Sequence, residues 1–476
     1  MIHKRFLMTA FVLTSVCIEI QSAEVDQTTA RQTLRATVHS YRSLVGHQGA
    51  YLWHYSEDLT KQEGEGRATK TSGWTQPPGT PSVGEAFLKA WRLSGEQACL
   101  DAAIECAQAL VQSQLESGGW ASHFDLAQPG RKRYAYRIDG KDKGRRNHTT
   151  FDDNKSQSAL MLLMRVDEAL DFKNPTIHEA VNYALQKMLA AQYPNGAWPQ
   201  QFDGPPNQTD HAIKKASYPD SWSREYPHKD YRNYYTLNDN NMSYIVNMLI
   251  EAHRIYDRQD CFNAAVKTGT FFLLAQLPEP QPGWAQQYDL NMHPAWARKF
   301  EPPAITGGES QAVLKTLLRL YQFTGDPKFI SSVPRAIEYY RQSALPNGRL
   351  ARFYELKTNR PLYFTTDYKL TYSDAYVPTH YSFAVNSRLD SIEAELHRLK
   401  AIPRDRLTLS STNASPVRFT RKLAQQASKV IDLLDKRMLW VTTRDMRTEP
   451  DVNRIIDMKT LTKNLPLLAA YAGATR

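Results

Sequence analysis

From about residue 80 to residue 345, apolar positions recur at spacings of three and four, as in Ala159, Leu162, Leu163 and Val166. That is the period of an amphipathic helix, and the alternation expected of strands is absent. The pattern repeats as a unit four times. Its first helix is predicted at Val83–Leu93, Ser156–Leu170, Met242–Tyr256 and Gln311–Phe323, followed by a short polar joint such as LSGEQ or FTGDP. Its second helix falls near 98–115, 176–192, 261–276 and 328–343. Each unit closes on a Gly-centred turn, at 117–125, 194–203, 281–289 and 346–355. With a further helix at 26–43 and two more near 385–399 and 418–438, the pattern predicts an all-α fold, an (α/α) toroid of helix hairpins with little strand.

Hairpin topology then places the chemistry. Short joints gather at one end of the ring and long connections at the other. The Gly-centred turns and the polar helix starts all lie in the long connections, so one rim should carry a cleft.

Composition adds a compartment and a class of partner. Residues 1–23 have a basic start, an apolar run and small residues at Ser22-Ala23, the pattern of an export signal. That predicts a secreted or periplasmic protein with its toroid over 24–401 and a helical extension, 402–476, packed on it. No later stretch is long and apolar enough to span a membrane. Cys99, Cys106 and Cys261 lack the spacing of a disulfide framework or a zinc site and should be buried. A formal charge of +10 with 11% aromatic residues suits an acidic polymer. Scattered bases without a recognition helix argue against nucleic acid.

Two predicted helix starts carry acid–amide clusters, Phe151-Asp152-Asp153-Asn154 and Leu237-Asn238-Asp239-Asn240-Asn241. One such residue would be an ordinary N-cap. Runs of two or three on one rim point instead to oxygen ligands for a hard cation, Ca²⁺ before Mg²⁺. Arg298 stands between Trp296 and Phe300, where it could tie down Glu301 or recognise a substrate carboxylate. Trp120, Trp198 and Trp284 recur in the turns, as core plugs or as platforms for sugar rings. Arg352 and Arg360 add cations on the fourth turn.

Six stretches, in order, resemble the signatures of pectate lyases of polysaccharide lyase family ten. They are SGGW (117–120), HTTFDDNKSQSALMLLMRV (148–166), AAQYPNGAWPQQFD (190–203), TLNDNNMSYIVNML (236–249), PAWARKFEPPAITGGES (294–310) and ARFYELKTNRP (351–361). The resemblance implies the same toroid and calcium-assisted β-elimination on polygalacturonate. It makes Asp152 and Asp239 the metal ligands and Arg298 the base that takes the C5 proton. Asp153, Asn240, Arg352, Arg360, Trp198 and Trp284 become candidates for holding substrate. A cation at the acidic residues, together with burial between the aromatics, should lower the Arg298 pKa. The chain departs from the family in a long segment at 205–235, and in 362–383, which offers only Lys369 where further arginines are usual. The protein is expected to act as a monomer. Competing readings are a toroid glycosidase using Asp152 with Asp239 or Glu309 as acid and base, and a weakly active binder of acidic polysaccharide.

Overall fold

The computed structural model describes residues 25–140, 144–231, 233–407 and 417–475; the export signal expected at 1–23 lies outside the described residues. Among the described residues there are thirteen α-helices. They are α1 (Gln27–Ser40), α2 (Thr80–Ser94), α3 (Gln97–Gln112), α4 (Lys155–Ala169), α5 (Pro175–Ala190), α6 (Asn241–Tyr256) and α7 (Gln259–Ala275). The rest are α8 (Glu309–Thr324), α9 (Lys328–Ser331), α10 (Val333–Gln342), α11 (Leu389–Lys400), α12 (Arg421–Asp432) and α13 (Met458–Ala472).

These helices form two concentric series. The inner series runs α13, α2, α4, α6, α8, α11, each packed on the next. The outer series runs α12, α1, α3, α5, α7, α9, again in succession. This is the (α/α) toroid that the periodicity predicts. Each helix buries an apolar stripe, such as Leu160, Leu163, Met164 and Val166 on α4, against its neighbours on either side. The C-terminal α13 packs on α1 and α2 and so lies against the first hairpin of the chain. It falls within the helical extension expected at 402–476, where the sequence reading did not single out this helix, and Pro466 lies inside it.

Strands are short and confined mainly to the rim of long connections, where they form a repeating stitch. The residues just before an inner helix pair antiparallel with those just after the next Gly-centred turn. Thr149–Thr150 pairs with Gln201–Phe202, Tyr235–Thr236 with Gln287–Tyr288, and Ala304–Thr306 with Phe353–Glu355. Ser72–Trp74 pairs with His123–Asp125 in the same manner. Each helix start is therefore held by backbone hydrogen bonds to the following unit. That fixes rim side chains more firmly than a free loop could.

Trp198 and Trp284 are corrected here from sugar platforms to core plugs. Both are fully buried, as is Trp120. The Trp284 indole donates to the Phe272 carbonyl at 2.7 Å, that of Trp120 to Leu110 O at 2.8 Å, and that of Trp198 to Thr268 Oγ1 at 2.8 Å. Trp440 repeats the device, donating to Val430 O at 2.7 Å. The indole fills the gap between hairpins while its N–H meets an acceptor that burial would otherwise leave bare. Trp284→Ala should therefore lower unfolding free energy by about 3–5 kcal/mol, read as a shift of the denaturant midpoint. Cys99, Cys106 and Cys261 are free and buried, as expected.

Candidate active site

Both acid–amide clusters form one-turn 3₁₀ segments, Asp152–Asn154 and Asn238–Asn240, leading straight into α4 and α6. In each, an Asp-Asn pair has left-handed backbone: Asp153 and Asn154 at φ 49° and 59°, Asp239 and Asn240 at φ 50° and 59°. Asp and Asn tolerate this region better than other residues with a Cβ, though at a cost. The turn carries their side chains away from the helix, and neither α4 nor α6 receives a side-chain N-cap. Ordinary capping therefore does not account for these residues. The two turns lie against one another. Gln157 Nε2 binds them together, donating to Phe151 O at 2.7 Å and Asn241 O at 3.2 Å.

The result is a triad. Asp152, Asp153 and Asp239 each present a carboxylate oxygen within 4.8 Å of the others. Gln200 Nε2 donates to Asp152 Oδ1 at 3.0 Å, and Gln76 Nε2 to Asp153 Oδ2 at 3.0 Å. The Lys155 ammonium lies 2.9 Å from Asp152 Oδ2 and 3.4 Å from Asp153 Oδ2. Burial, then the charges of Asp153, Asp152 and Glu309, push the Asp239 carboxyl up to about 7 against the opposing pull of Arg298. Burial and Asp152 also raise Asp153, with Lys155 opposing. Convergent carboxylates fit a hard divalent cation, which takes oxygen ligands and removes their mutual repulsion.

Arg298 lies within electrostatic reach of this triad, since it and Asp239 shift one another. Its guanidinium is clamped by Glu301, Nε to Oε2 at 2.9 Å and Nη2 to Oε1 at 2.6 Å, and lies 4.9 Å from the Phe300 ring centroid. Trp296 does not complete a sandwich; its indole donates to Ser223 O. Burial pulls the Arg298 pKa down, but hydrogen bonding to Glu301 and that carboxylate's charge outweigh it and hold the pKa above the usual range. The expected lowering is thus reversed in the protein alone. Nη1 has no protein partner among the described residues, and the side chain is 42% exposed.

Asp239, Asn240, Glu309 and Arg352 line a cavity of about 580 Å³ that opens at this rim. Arg352 donates from Nε to Ser382 O at 2.5 Å, approaches Glu309 Oε1 at 3.5 Å and stacks on Tyr381 at 4.4 Å. Tyr381, which the sequence reading passed over, hydrogen-bonds to Gln286 at 3.3 Å and approaches Glu301 at 3.5 Å. Arg360 is not brought to this cavity. Its guanidinium sits 3.4 Å from the Tyr372 ring centroid, because it follows a strand turn that carries it away. Arg360→Ala should change turnover by less than about twofold, measured as initial rate. Lys369 is spent on Asp367 at 3.0 Å.

The sequence of residues 114–349 matches the family described as pectic acid lyase. No curated protein matches the chain. Among solved structures, the family 10 polysaccharide lyase from Cellvibrio cellulosa is 20% identical, covering 69% of this chain and 98% of its own, with a TM-score of 0.47. A mutant of that enzyme, in complex with trigalaturonic acid, gives 20% identity, 67% and 98% coverage and a TM-score of 0.46. A GH76 alpha-mannanase from Bacteroides thetaiotaomicron is 10% identical over 94% of this chain and 96% of its own, with a TM-score of 0.42. At these scores the architecture rests on its own helix contacts. The family match spans the stretch that builds the triad and Arg298, and residues 114–349 of the chain belong to the pectic acid lyase family.

Proposed function

We propose that the protein cleaves polygalacturonate by calcium-dependent β-elimination, with Arg298 as the base at C5. The observation that carries this reading is an acidic triad and a clamped, partly open arginine on one rim, the second acid–amide turn being joined through Gln286 and Tyr381 to the Glu301 that clamps Arg298. Residues Asp152, Asp153 and Asp239 would hold the cation. A calcium ion bound there would offset the negative charge that builds on the uronate carboxylate as its α-proton leaves.

The chain's own groups account for the rest. Arg352, on the wall of the cavity that Asp239 also lines, is placed to pair with a substrate carboxylate, and Asn240 to hydrogen-bond a sugar hydroxyl. Arg298 must shed a proton before it can accept one. That proton leaves to solvent from the partly exposed guanidinium; the Glu301 carboxylate, which accepts two guanidine N–H groups, holds the fork in orientation. Arg298 takes the C5 proton, the C5–H electron pair forms the C4–C5 double bond as the C4–O4 bond breaks, and the departing O4 oxygen takes a proton from water. Export of the protein and a monomeric state belong to the same reading. No helix among the described residues is long and apolar enough to cross a membrane.

The glycosidase reading fares worse. Oxygens of Asp152 and Asp239 lie within 4.8 Å, whereas an inverting pair needs roughly 6.5–9.5 Å to admit water. Product chemistry separates the two: polygalacturonate should yield unsaturated uronides with ultraviolet absorbance. Saturated products alone would reject elimination.

A further inference from the structure

The two helix-start turns differ in a charge-balanced way. At equivalent places the first has Asp152 and Lys155 where the second has Asn238 and Asn241, and both share the strained Asp-Asn pair. An added acid is thus accompanied by an added base. The two are in contact, Lys155 Nζ to Asp152 Oδ2 at 2.9 Å, and the Lys155 residue is 4% exposed. Asn241, in the corresponding place, uses its side chain locally, accepting from Met242 N at 2.6 Å.

A buried lysine beside a cation site is costly unless it is paired. Here its pairing is with two members of the triad, since Asp153 Oδ2 lies 3.4 Å away. Counting Lys155, the cluster of Asp152, Asp153 and Asp239 carries a net charge of −2 when fully ionised, matched to one divalent ion. Without the lysine it would carry −3.

We propose that Lys155 is a resident cation that sets the calcium affinity of the triad by neutralising Asp152. This rests on the calcium reading above and adds to it a residue that tunes rather than ligates. Affinity at oxygen-ligand sites follows the charge of the ligand set, and a fixed positive charge against two of three carboxylates lowers it. The same ammonium lets the triad exist in the metal-free fold, because it relieves repulsion that no other side chain on these turns opposes. Of the three acids, Asp239 is the one without a lysine contact.

Calcium titration calorimetry on Lys155→Gln, Lys155→Met and Lys155→Arg tests the proposal. The two neutral variants should bind calcium about tenfold more tightly or better, while the arginine variant stays close to wild type. Equal or weaker binding by folded neutral variants overturns it. Should the neutral variants fold only in calcium, their melting midpoint must climb more steeply with calcium than that of wild type. A slope no steeper also overturns the proposal. Calcium binding by Lys155→Gln but not by wild type would support the lysine's role and reject calcium dependence of the natural protein. No binding by any of them rejects both.

Discussion

Arg298→Ala is expected to lower kcat on polygalacturonate by ~10³-fold or more while oligogalacturonate binding changes only a few-fold. The guanidinium is held at two nitrogens by Glu301, with Nη1 left over, so the mutation removes one group without opening the core. Arg298→Lys should rescue little. A lysine has no planar fork to occupy both Glu301 oxygens and still present a third nitrogen to substrate. Glu301→Gln is the companion variant. It keeps the shape but replaces one of the two carboxylate oxygens that orient the guanidine by an amide N–H, so kcat should fall with KM little changed. Wild-type turnover in Arg298→Ala would remove the proposed base; lost binding in a folded Arg298→Ala protein would make Arg298 an anchor for substrate instead.

The second large effect concerns Asp239. Its folded-state carboxyl, at about 7, lies above the ordinary unfolded value near ~3.9. A folded pKa above the unfolded one gives stability that is complete below the unfolded value and lost as pH rises through the folded value. For the metal-free protein the window runs from about pH 4 to 7, and the loss is on the order of 4 kcal/mol at most. Calcium binds the ionised form, so its stabilising effect should be small at pH 5 and large at pH 8, measured as the rise in melting midpoint. Asp239→Asn should melt higher than wild type at pH 8 without calcium, and gain little on adding it. A calcium-induced shift that is the same at both pH values, or unchanged in Asp239→Asn, would exclude Asp239 as a ligand.

How much of this was legible beforehand depended on the range of the signal. The helix pairs could be read because their apolar period is local, and the rim followed from loop lengths alone. The acid–amide turns could be read because runs such as Asp152-Asp153-Asn154 exceed what capping requires. What the turns do with their backbone could not, since the left-handed conformation of Asp153 and Asp239 is not encoded in a local residue pattern such as Gly. The tryptophans misled for a similar reason. A Trp beside Gly in a turn looks exposed until the outer-helix carbonyl that receives its N–H, ten or twelve residues earlier, is in view. Arg352 and Arg360 are eight apart on one segment, yet a strand turn separates their destinations. Lys155, Gln76, Gln157 and Tyr381 were passed over as single residues without a motif. Their roles arise from contacts with the triad or with residues of other units. The Arg298 pKa ran opposite to expectation because Glu301, three residues away, outweighs burial.

The most direct test is to follow ultraviolet absorbance of purified protein on polygalacturonate, with calcium, with chelator, and with calcium restored. The account predicts unsaturated product in the first, little in the second and recovery in the third. Sustained product in chelator would contradict the role given to the triad. No unsaturated product under any of the three conditions would contradict the elimination itself.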